Sequence, residues 1–136
     1  MLKKKLGFEA IEKDSWTLGV IGYSKIGLYF KIPSTLVIPD GCKWVGDWAF
    51  WRCKKLRKVV IPESVKVIED FAFKECRDLE EVEIPKSVRW IGEEAFEGCK
   101  KATIILKKLK NEFKEIQLRV FSGVKDVRYA KEEVRN

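Results

Sequence analysis

A repeat of 23 residues constrains the fold of this chain more than any other feature. Ile-Pro pairs begin at Ile38, Ile61 and Ile84, and Ala-Phe pairs and single cysteines recur at the same interval. Self-similarity at a fixed period of about 20 to 50 residues is typical of a solenoid, whose coils bury their apolar faces against one another. The sequence therefore predicts a solenoid of three clear coils. The other repeated residues are Ala49-Phe50, Ala72-Phe73, Ala95-Phe96, Cys53, Cys76 and Cys99.

Each coil is predicted to contain two short strands and one turn. Residues 58–61 read as a strand that ends at Pro62, because proline has no N–H to donate to a strand ladder. Residues 65–68 indicate a second short strand, in which alternate side chains face inward. Residues 69–76 have apolar side chains at the spacing of one helical turn, which predicts a single helical turn facing the core.

The repeat resembles the leucine-rich repeats of the BspA-like family, whose unit runs approximately I-P-x-S-V-x-x-I-G-x-x-A-F-x-x-C-x-x-L-x-x-V. The resemblance implies a right-handed parallel solenoid. It implies no reaction, because the family's repeats are binding and surface modules with diverse partners, often on cell surfaces. The residues that carry it are Ile61-Pro62-Glu63-Ser64-Val65, Ile68, Ala72-Phe73, Cys76, Leu79 and Val82, and again Ile84-Pro85-Lys86-Ser87-Val88, Ile91-Gly92, Ala95-Phe96 and Cys99.

The segments outside the repeat are predicted to cap the two open ends of the solenoid. At the N-terminal end, residues 16–21 and 26–32 are β-rich runs that read as a hairpin. At the C-terminal end, residues 103–106 read as a last strand, and residues 124–130 as a returning strand. Between them Leu109, Phe113, Ile116 and Val120 have the spacing of an amphipathic helix.

The predicted fold is therefore a β-rich α/β solenoid in a single domain, residues 1–136. Residues 1–35 form an N-terminal β-hairpin cap and residues 36–105 form the leucine-rich repeats. Residues 106–136 form a C-terminal cap of strand, helix and strand, followed by a charged tail.

The positive charge of the chain is concentrated in its two end segments. The net charge is +7, of which residues 1–36 carry +3, residues 37–105 carry zero and residues 106–136 carry +4. A nucleic-acid groove needs a basic stripe along the repeated surface, so the neutral repeats argue against a nucleic-acid partner. No apolar run is long enough to span a membrane, and charged residues follow the basic start where a signal peptide needs an apolar segment. These features predict a cytoplasmic protein.

The cysteine column and the acidic residues give no prediction of catalysis or of a cofactor. Cys53, Cys76 and Cys99 occur once per coil, which is the pattern of a small buried core residue rather than of the paired spacing of metal ligands. The chain has no histidine. It also lacks a nucleophile motif and a glycine-rich phosphate loop. We therefore expect free, buried thiols, no metal site and no enzymatic activity.

The aromatic residues that break the repeat are the first candidate binding residues. Trp44 and Trp90 share a column that is predicted to face outward, and Trp48 and Trp51 stand where later coils have mostly charged residues. Exposed tryptophans are enriched among residues that carry binding energy. The alternative is that the N-terminal hairpin folds over Trp44, Trp48 and Trp51. The candidate aromatic contacts are Trp44, Trp48, Trp51, Phe71 and Trp90.

Charged residues on the outward face of the main strands are the second set of candidates. The first coil is basic where the second coil is acidic, which permits either cross-strand charge pairing or a dipolar surface that orients a partner. The candidate residues are Arg57 and Lys58, beside Val60, and Glu80, Glu81 and Glu83.

The predicted function is a non-catalytic protein–protein interaction module, an inhibitor or adaptor of a larger protein. One alternative is a binder of nucleic acid or of an anionic surface through the basic ends. Another is a self-associating structural unit in which a strand edge pairs with a second copy. The candidate residues for anionic binding are Lys107, Lys108, Lys110, Lys114 and Arg119.

Overall fold

The computed structural model describes residues 10–14, 17–20, 34–108, 110–112 and 119–131. It confirms a parallel β-solenoid, of about four turns. The strands are β1 (Ala10–Asp14), β2 (Thr17–Val20), β3 (Thr35–Val37), β4 (Cys42–Val45), β5 (Lys58–Val60), β6 (Val67–Ile68), β7 (Glu81–Ile84), β8 (Trp90–Ile91), β9 (Thr103–Leu106) and β10 (Asp126–Tyr129), with a short 3₁₀-helix at Lys110–Glu112.

The described strands form two sheets of five, and successive coils contribute neighbouring strands to each sheet. One sheet has the order β1-β2-β4-β6-β8, and the other has the order β10-β9-β7-β5-β3. All pairs are parallel except β1 with β2. The register follows the 23-residue repeat, so that Lys58 lies opposite Glu81. A residue in one coil therefore stacks on its equivalent in the next coil.

The core lies between the two sheets and consists of the repeated apolar residues. The phenylalanines of the three Ala-Phe pairs stack at centroid distances of 5.2 Å, first Phe50 on Phe73 and then Phe73 on Phe96. All three are among the largest fully buried side chains. Burial of this apolar area is the main favourable term in folding, and in a solenoid each coil supplies half of the contact.

The turn after the second strand of each coil is not the predicted helical turn. Phe71 and Glu75 have left-handed backbones, with φ of 60° and 58°. The backbone N–H of Phe71 donates to Glu93 of the next coil at 2.9 Å, and that of Phe73 donates to Ala95 at 2.8 Å. Because these N–H groups bond between coils, they cannot donate to the carbonyl four residues earlier. The corner is therefore a pair of tight turns.

The N-terminal hairpin exists, and β2 lies within the strand predicted at residues 16–21, but its partner in the hairpin is β1, which the sequence did not predict. β1 pairs with β2 in an antiparallel ladder, and β2 pairs on its other side with β4. Both edges of β2 are therefore occupied, so the predicted pairing of residues 16–21 with residues 26–32 is wrong. Residues 26–32 themselves lie outside the described part of the chain. The hairpin extends one sheet beyond the first coil, as a cap must.

The C-terminal segment contains a further coil that the sequence pattern did not reveal. β9 and β10 occur where strands were predicted, but Val120 does not end a helix. The Arg119 backbone is left-handed, with a φ of 60°, and Val120 is buried in the column of the Ala-Phe alanines, where its carbonyl accepts from Phe96. Phe121 stacks on Phe96 at 6.1 Å. The other predicted helix residues, Leu109, Phe113 and Ile116, lie outside the described residues.

Candidate protein-binding surface

One residue per coil forms a column along the corner that follows the second strand. The four backbones are left-handed, a conformation that is uncommon outside glycine and is an outlier for a bulky side chain. The cost is of order 1 kcal/mol or more per residue, and it persists only where the surroundings fix the backbone. The column consists of Trp48 (φ 59°), Phe71 (φ 60°), Glu94 (φ 52°) and Arg119 (φ 60°).

The first two coils make the corner aromatic. The Trp48 ring stacks on Phe71 at 4.2 Å, and the edge of Trp51 meets Trp48 at 5.5 Å. The guanidinium of Arg52 lies 4.6 Å from the centroid of Trp51 and also pairs with Glu75 at 2.6 Å. Trp48 and Trp51 are 40% and 38% exposed. We call Trp48, Trp51, Arg52 and Phe71 the aromatic corner.

The later coils make the same corner ionic. The ammonium of Lys74 hydrogen-bonds Glu94, and Arg119 lies 3.5 Å from Glu94 and 3.3 Å from Glu97. The hydrogen bond from Lys74 lowers the pKa of Glu94, and that same bond raises the pKa of Lys74. We call Lys74, Glu94, Glu97 and Arg119 the ionic corner. Lys74 joins the two regions, because its ammonium also lies 5.5 Å from the Phe71 ring centroid.

Trp44 and Trp90 are not part of the aromatic corner. Trp44 is 5% exposed, contrary to the expected outward exposure, and Trp90 is half-buried. Trp44 lies in register between Gly19 of β2 and Val67 of β6, and because glycine has no side chain there is room for the ring on the side of β2. The predicted cover by the N-terminal hairpin thus fits Trp44, whereas Trp48 and Trp51 remain exposed.

The charged candidates lie on the outward face of the sheet that contains β5 and β7. Arg57, Lys58, Glu80, Glu81 and Glu83 are all exposed. Although Lys58 and Glu81 are in register, no ion pair within 4.0 Å joins them in the described part of the chain. Glu83 pairs with Lys107 at 3.2 Å instead.

Two valines add an apolar strip to this strand face. Val37 and Val60 are 50% and 41% exposed and lie in register on β3 and β5. Val60 lines a shallow concavity of about 290 Å³ together with Lys58, Glu81 and Glu83.

Sequence reasoning missed Arg52, Lys74 and Val37. The exposure of Val37 follows from its place between the buried Leu36 and Ile38, so alternation could have revealed it. A signal for the left-handed corner was also present. The corner position of Arg52 and Glu75 is Gly98 in the next coil and Gly123 in the last, both with positive φ, and glycine is the usual residue there. The ring contact of Arg52 could not be read from the sequence.

Three of the five basic residues proposed for anionic binding have partners within the protein. Lys107 pairs with Glu83, Arg119 pairs with Glu94 and Glu97, and the ammonium of Lys108 donates to the carbonyl of Val88 at 2.8 Å. Lys110 is exposed. Lys114 lies outside the described residues.

The four cysteines are free and buried. The Cys76 thiol donates to the Phe50 carbonyl and the Cys99 thiol donates to the Phe73 carbonyl, both at 3.1 Å. Hydrogen bonding with the neighbouring thiols of Cys53 and Cys99, together with burial, raises the pKa of Cys76. The thiolate, which is the reactive form, is therefore disfavoured. In the described ranges no group of three or more Cys, Asp or Glu side chains is arranged to hold a metal ion.

The described residues include no helix with the length and apolar character that a membrane crossing needs.

Two solved structures are similar to this chain. A leucine-rich cell surface protein from Faecalibacterium prausnitzii matches 93% of this chain with a TM-score of 0.56 and 22% identity, and a leucine-rich repeat protein from Bacteroides ovatus matches 90% with a TM-score of 0.43 and 17% identity. This chain spans 40% and 51% of their lengths. At 22% identity, the similarity to the Faecalibacterium prausnitzii protein shows the fold alone. No curated protein matches significantly.

The repeat itself carries the assignment to a family. The BspA type leucine-rich repeat region matches residues 29–131, in six copies. This range includes the three clear coils and also the final coil at residues 119–131, where the sequence pattern is weakest. The chain therefore belongs to the BspA-type leucine-rich repeat family.

Proposed function

We propose that this protein is a non-catalytic binding module that contacts a partner protein through the aromatic corner and works as an adaptor or inhibitor. Leucine-rich repeats in general support a protein-interaction or surface-binding role and are typically non-catalytic. The finer assignment to one surface rests on the geometry of the corner.

The exposed, left-handed Trp48 is the observation that carries this proposal. Its φ of 59° is unfavourable for a bulky residue, and 40% of the side chain is exposed. The solenoid does not need an aromatic residue there, because Glu94 and Arg119 occupy the same column in later coils. A costly conformation that the scaffold does not require is a reason to infer function, and tryptophan and arginine are the residues most enriched in binding hot spots.

The corner is also rigid, which favours binding. Trp48 donates its backbone N–H to Asp70 at 3.1 Å, and Arg52 donates to Lys74 at 2.9 Å. The Trp48 ring is held between Phe71 and Trp51. A surface whose side chains are already ordered loses little conformational entropy when it binds.

The charges beside the aromatic corner suggest how a partner is oriented. Arg52 begins a run of exposed basic residues on the first coil, and the equivalent run on the second coil is largely acidic. Such a dipolar surface fixes the register of a partner and accelerates association. The basic residues are Arg52, Lys54, Lys55, Arg57 and Lys58, and the second-coil residues are Glu75, Arg77, Asp78, Glu80 and Glu81.

We place this function in the cytoplasm. The four free, buried cysteines are compatible with a reducing compartment, where disulfides are rare.

Site-specific crosslinking in an extract of the source cells tests the proposal. A benzophenone amino acid at Lys54, beside the aromatic corner, should crosslink a distinct protein. The same group at Lys100, which occupies the equivalent position two coils later, should not. Changing both Trp48 and Trp51 to serine should weaken binding of the captured protein by about 30-fold, since hot-spot residues contribute about 2 kcal/mol or more.

A matched variant removes the same number of exposed apolar side chains elsewhere. Changing Val37 and Val60 to serine should leave the affinity for the captured protein within about threefold of the original value. A folded protein with both tryptophans changed to serine and an unchanged affinity would overturn the proposal.

A further inference from the structure

The outer edge of β10 can accept another strand. β10 is the end strand of its sheet in the part of the chain that the structure describes. The N–H of Asp126 donates to Ala102 and that of Ala130 donates to Leu106, both towards β9. Because neighbouring residues of a strand point their backbone groups to opposite sides, the N–H and C=O of Val127 face away from β9. An edge of this kind is a template for pairing with a second chain.

The apolar end of the solenoid beside β10 is only partly covered. In the preceding coil, Phe96, Ile104 and Leu106 are fully buried. Their counterparts Phe121, Val127 and Tyr129 pack against the core but remain partly exposed. The final coil of a solenoid exposes the face that an interior coil buries against its neighbour. An added strand at β10 would cover part of this face.

The charges of β10 identify the partner strand. Asp126 and Arg128 flank Val127 and pair with each other at 2.8 Å, and their side chains are 44% and 66% exposed. If a second β10 runs antiparallel with Val127 opposite Val127, each Asp126 lies opposite the Arg128 of the other copy. Shifting the centre to Asp126 or to Arg128 places like charges opposite each other, which is destabilising. The strand is therefore complementary to itself in one register.

We propose that two copies of this protein associate about a two-fold axis through Val127, with β10 of each copy pairing antiparallel. The Val127 residues exchange both N–H···O=C bonds, and two pairs of Asp126 and Arg128 flank them. The two copies share one isologous interface, which closes the assembly as a dimer. This inference does not rest on the aromatic corner, although a dimer would present two aromatic corners and bind a repeated partner with avidity.

Sedimentation equilibrium of the full chain over a wide concentration range tests the dimer. The expected mass in the high micromolar range is twice the 15.9 kDa of one chain. Asp126→Arg and Arg128→Asp should each weaken the dimer by about tenfold or more, since two opposite-charge pairs are lost and two like-charge pairs are created. The double variant D126R/R128D should return the dissociation constant to within about threefold of the original value.

A proline at the open edge tests the backbone pairing. Val127→Pro removes an N–H that the bond to β9 does not use, so the fold should persist and the dimer should dissociate. Val37→Pro is the matched control at the opposite end of the sheet, because Ile38 donates to β5 and Val37 faces away. It should leave the dimer intact. Circular dichroism verifies the fold of each variant.

Three outcomes would overturn the proposal. The first is a monomer at all concentrations. The second is a dimer that D126R/R128D fails to restore after each single change has weakened it. The third is dissociation by both proline variants, which would indicate head-to-tail stacking of β10 on β3. The charge variants lie on exposed positions, so they decide the question even if Val127→Pro does not fold.

Discussion

The aromatic corner and the ionic corner share one backbone and differ in their chemistry. Trp48 and Phe71 occupy the column in the first two coils, and Glu94 and Arg119 occupy it in the next two, with φ between 52° and 60° throughout. The inter-coil bonds are also the same, for example from Phe73 to Ala95 and from Phe96 to Val120.

The comparison shows that the backbone of the coil does not select the side chain at this position. Neighbouring coils can contact each other at this column through ring stacking, at 4.2 Å between Trp48 and Phe71, or through ion pairs around Glu94. In the aromatic corner the side chains of Trp48 and Trp51 remain partly exposed to water. The ionic corner contains no aromatic side chain, so its arrangement is the one that a purely structural coil would favour.

The largest expected effect comes from Gly92→Ala. This substitution would force the second and third coils apart where the aromatic corner and the ionic corner meet. A Cβ on Gly92 would lie 2.5 Å from the Asp70 nitrogen and 2.6 Å from the Glu69 carbonyl carbon. Backbone atoms cannot move aside as a flexible side chain can, so Gly92→Ala should lower the free energy of unfolding by about 2–3 kcal/mol. Urea denaturation measures the change.

Gly41→Ala is the control for this prediction. Gly41 has a φ of 89° with nothing within 4 Å of an added Cβ. The substitution should cost only the backbone strain, about 1 kcal/mol. If the two substitutions lower the free energy of unfolding equally, the close approach of the coils is not the reason that position 92 needs glycine.

Trp48→Ala should have the next largest effect. It removes the ring stack with Phe71 and the edge contact with Trp51, and we expect a loss of about 1 kcal/mol. Trp48→Gly should lose less, because glycine adopts a φ of 59° without strain. Thermal unfolding of the two variants separates ring contacts from backbone strain. A larger loss for glycine than for alanine would contradict the left-handed conformation at this residue.

Lys74→Met should distinguish the two regions by their response to salt. It keeps the apolar stem but removes the ammonium that contacts Glu94, Glu97 and the Phe71 ring. These ion pairs are only partly exposed to water and are still screened by it, so the loss should be about 0.5–1 kcal/mol at low salt. It should shrink at about 1 M salt, where the Debye length falls to about 3 Å. The loss from Trp48→Ala should not change with salt. If salt reduces the losses from both substitutions equally, the aromatic and ionic corners do not differ in what stabilises them.

The smallest expected effect is a change in the acid sensitivity of the ionic corner. The hydrogen bond from Lys74 lowers the pKa of Glu94 in the folded protein. Its contribution to stability is therefore complete above the unfolded pKa of about 4.3, and it is lost as the pH falls through the lower folded pKa. Glu94→Gln should be less stable than the wild type at neutral pH, and this difference should shrink below about pH 4.

Glu93→Gln is the control for the acid measurement. Glu93 is the adjacent exposed residue, and its carboxylate has no ion-pair partner among the residues that the structure describes. Glu93→Gln removes a carboxylate without removing an ion pair, so it should destabilise the protein less than Glu94→Gln when each variant is unfolded by heat at pH 7. If both variants respond alike to acid, the bond from Lys74 is not responsible for the acid sensitivity.

Much of the solenoid could be predicted because its core repeats in the sequence. Phe50, Phe73 and Phe96 each need a partner ring one coil away, so the packing requirement reappears every 23 residues. The sequence did not predict the final coil because Val120 follows Ala95 by 25 residues rather than 23 and places a valine where the other coils have alanine. The longer interval hid the repeat, although the backbone bonds show that it continues.

The candidate surface was predicted in its residue types but not in its geometry. Trp48 and Trp51 stand out in the sequence because their equivalents in other coils are mostly charged. Trp44 stands out for the same kind of reason, yet it is buried beside β2. The difference depends on the pairing of β2 with β4. Residues 16–21 were predicted as a strand, but its two neighbours were not, because a strand outside the repeat carries no periodic signal that identifies its partners.

The sequence by itself determined the repeated core, the stacking of equivalent residues and the positions where the coils disagree. Each of these follows from side-chain type and spacing along the chain. Only the tertiary structure decided which of the disagreeing residues face water, that Trp48 has a left-handed backbone, and that Lys74 connects the rings to the carboxylates. These depend on hydrogen bonds and contacts between coils, where a residue's neighbours are about 23 positions away along the chain.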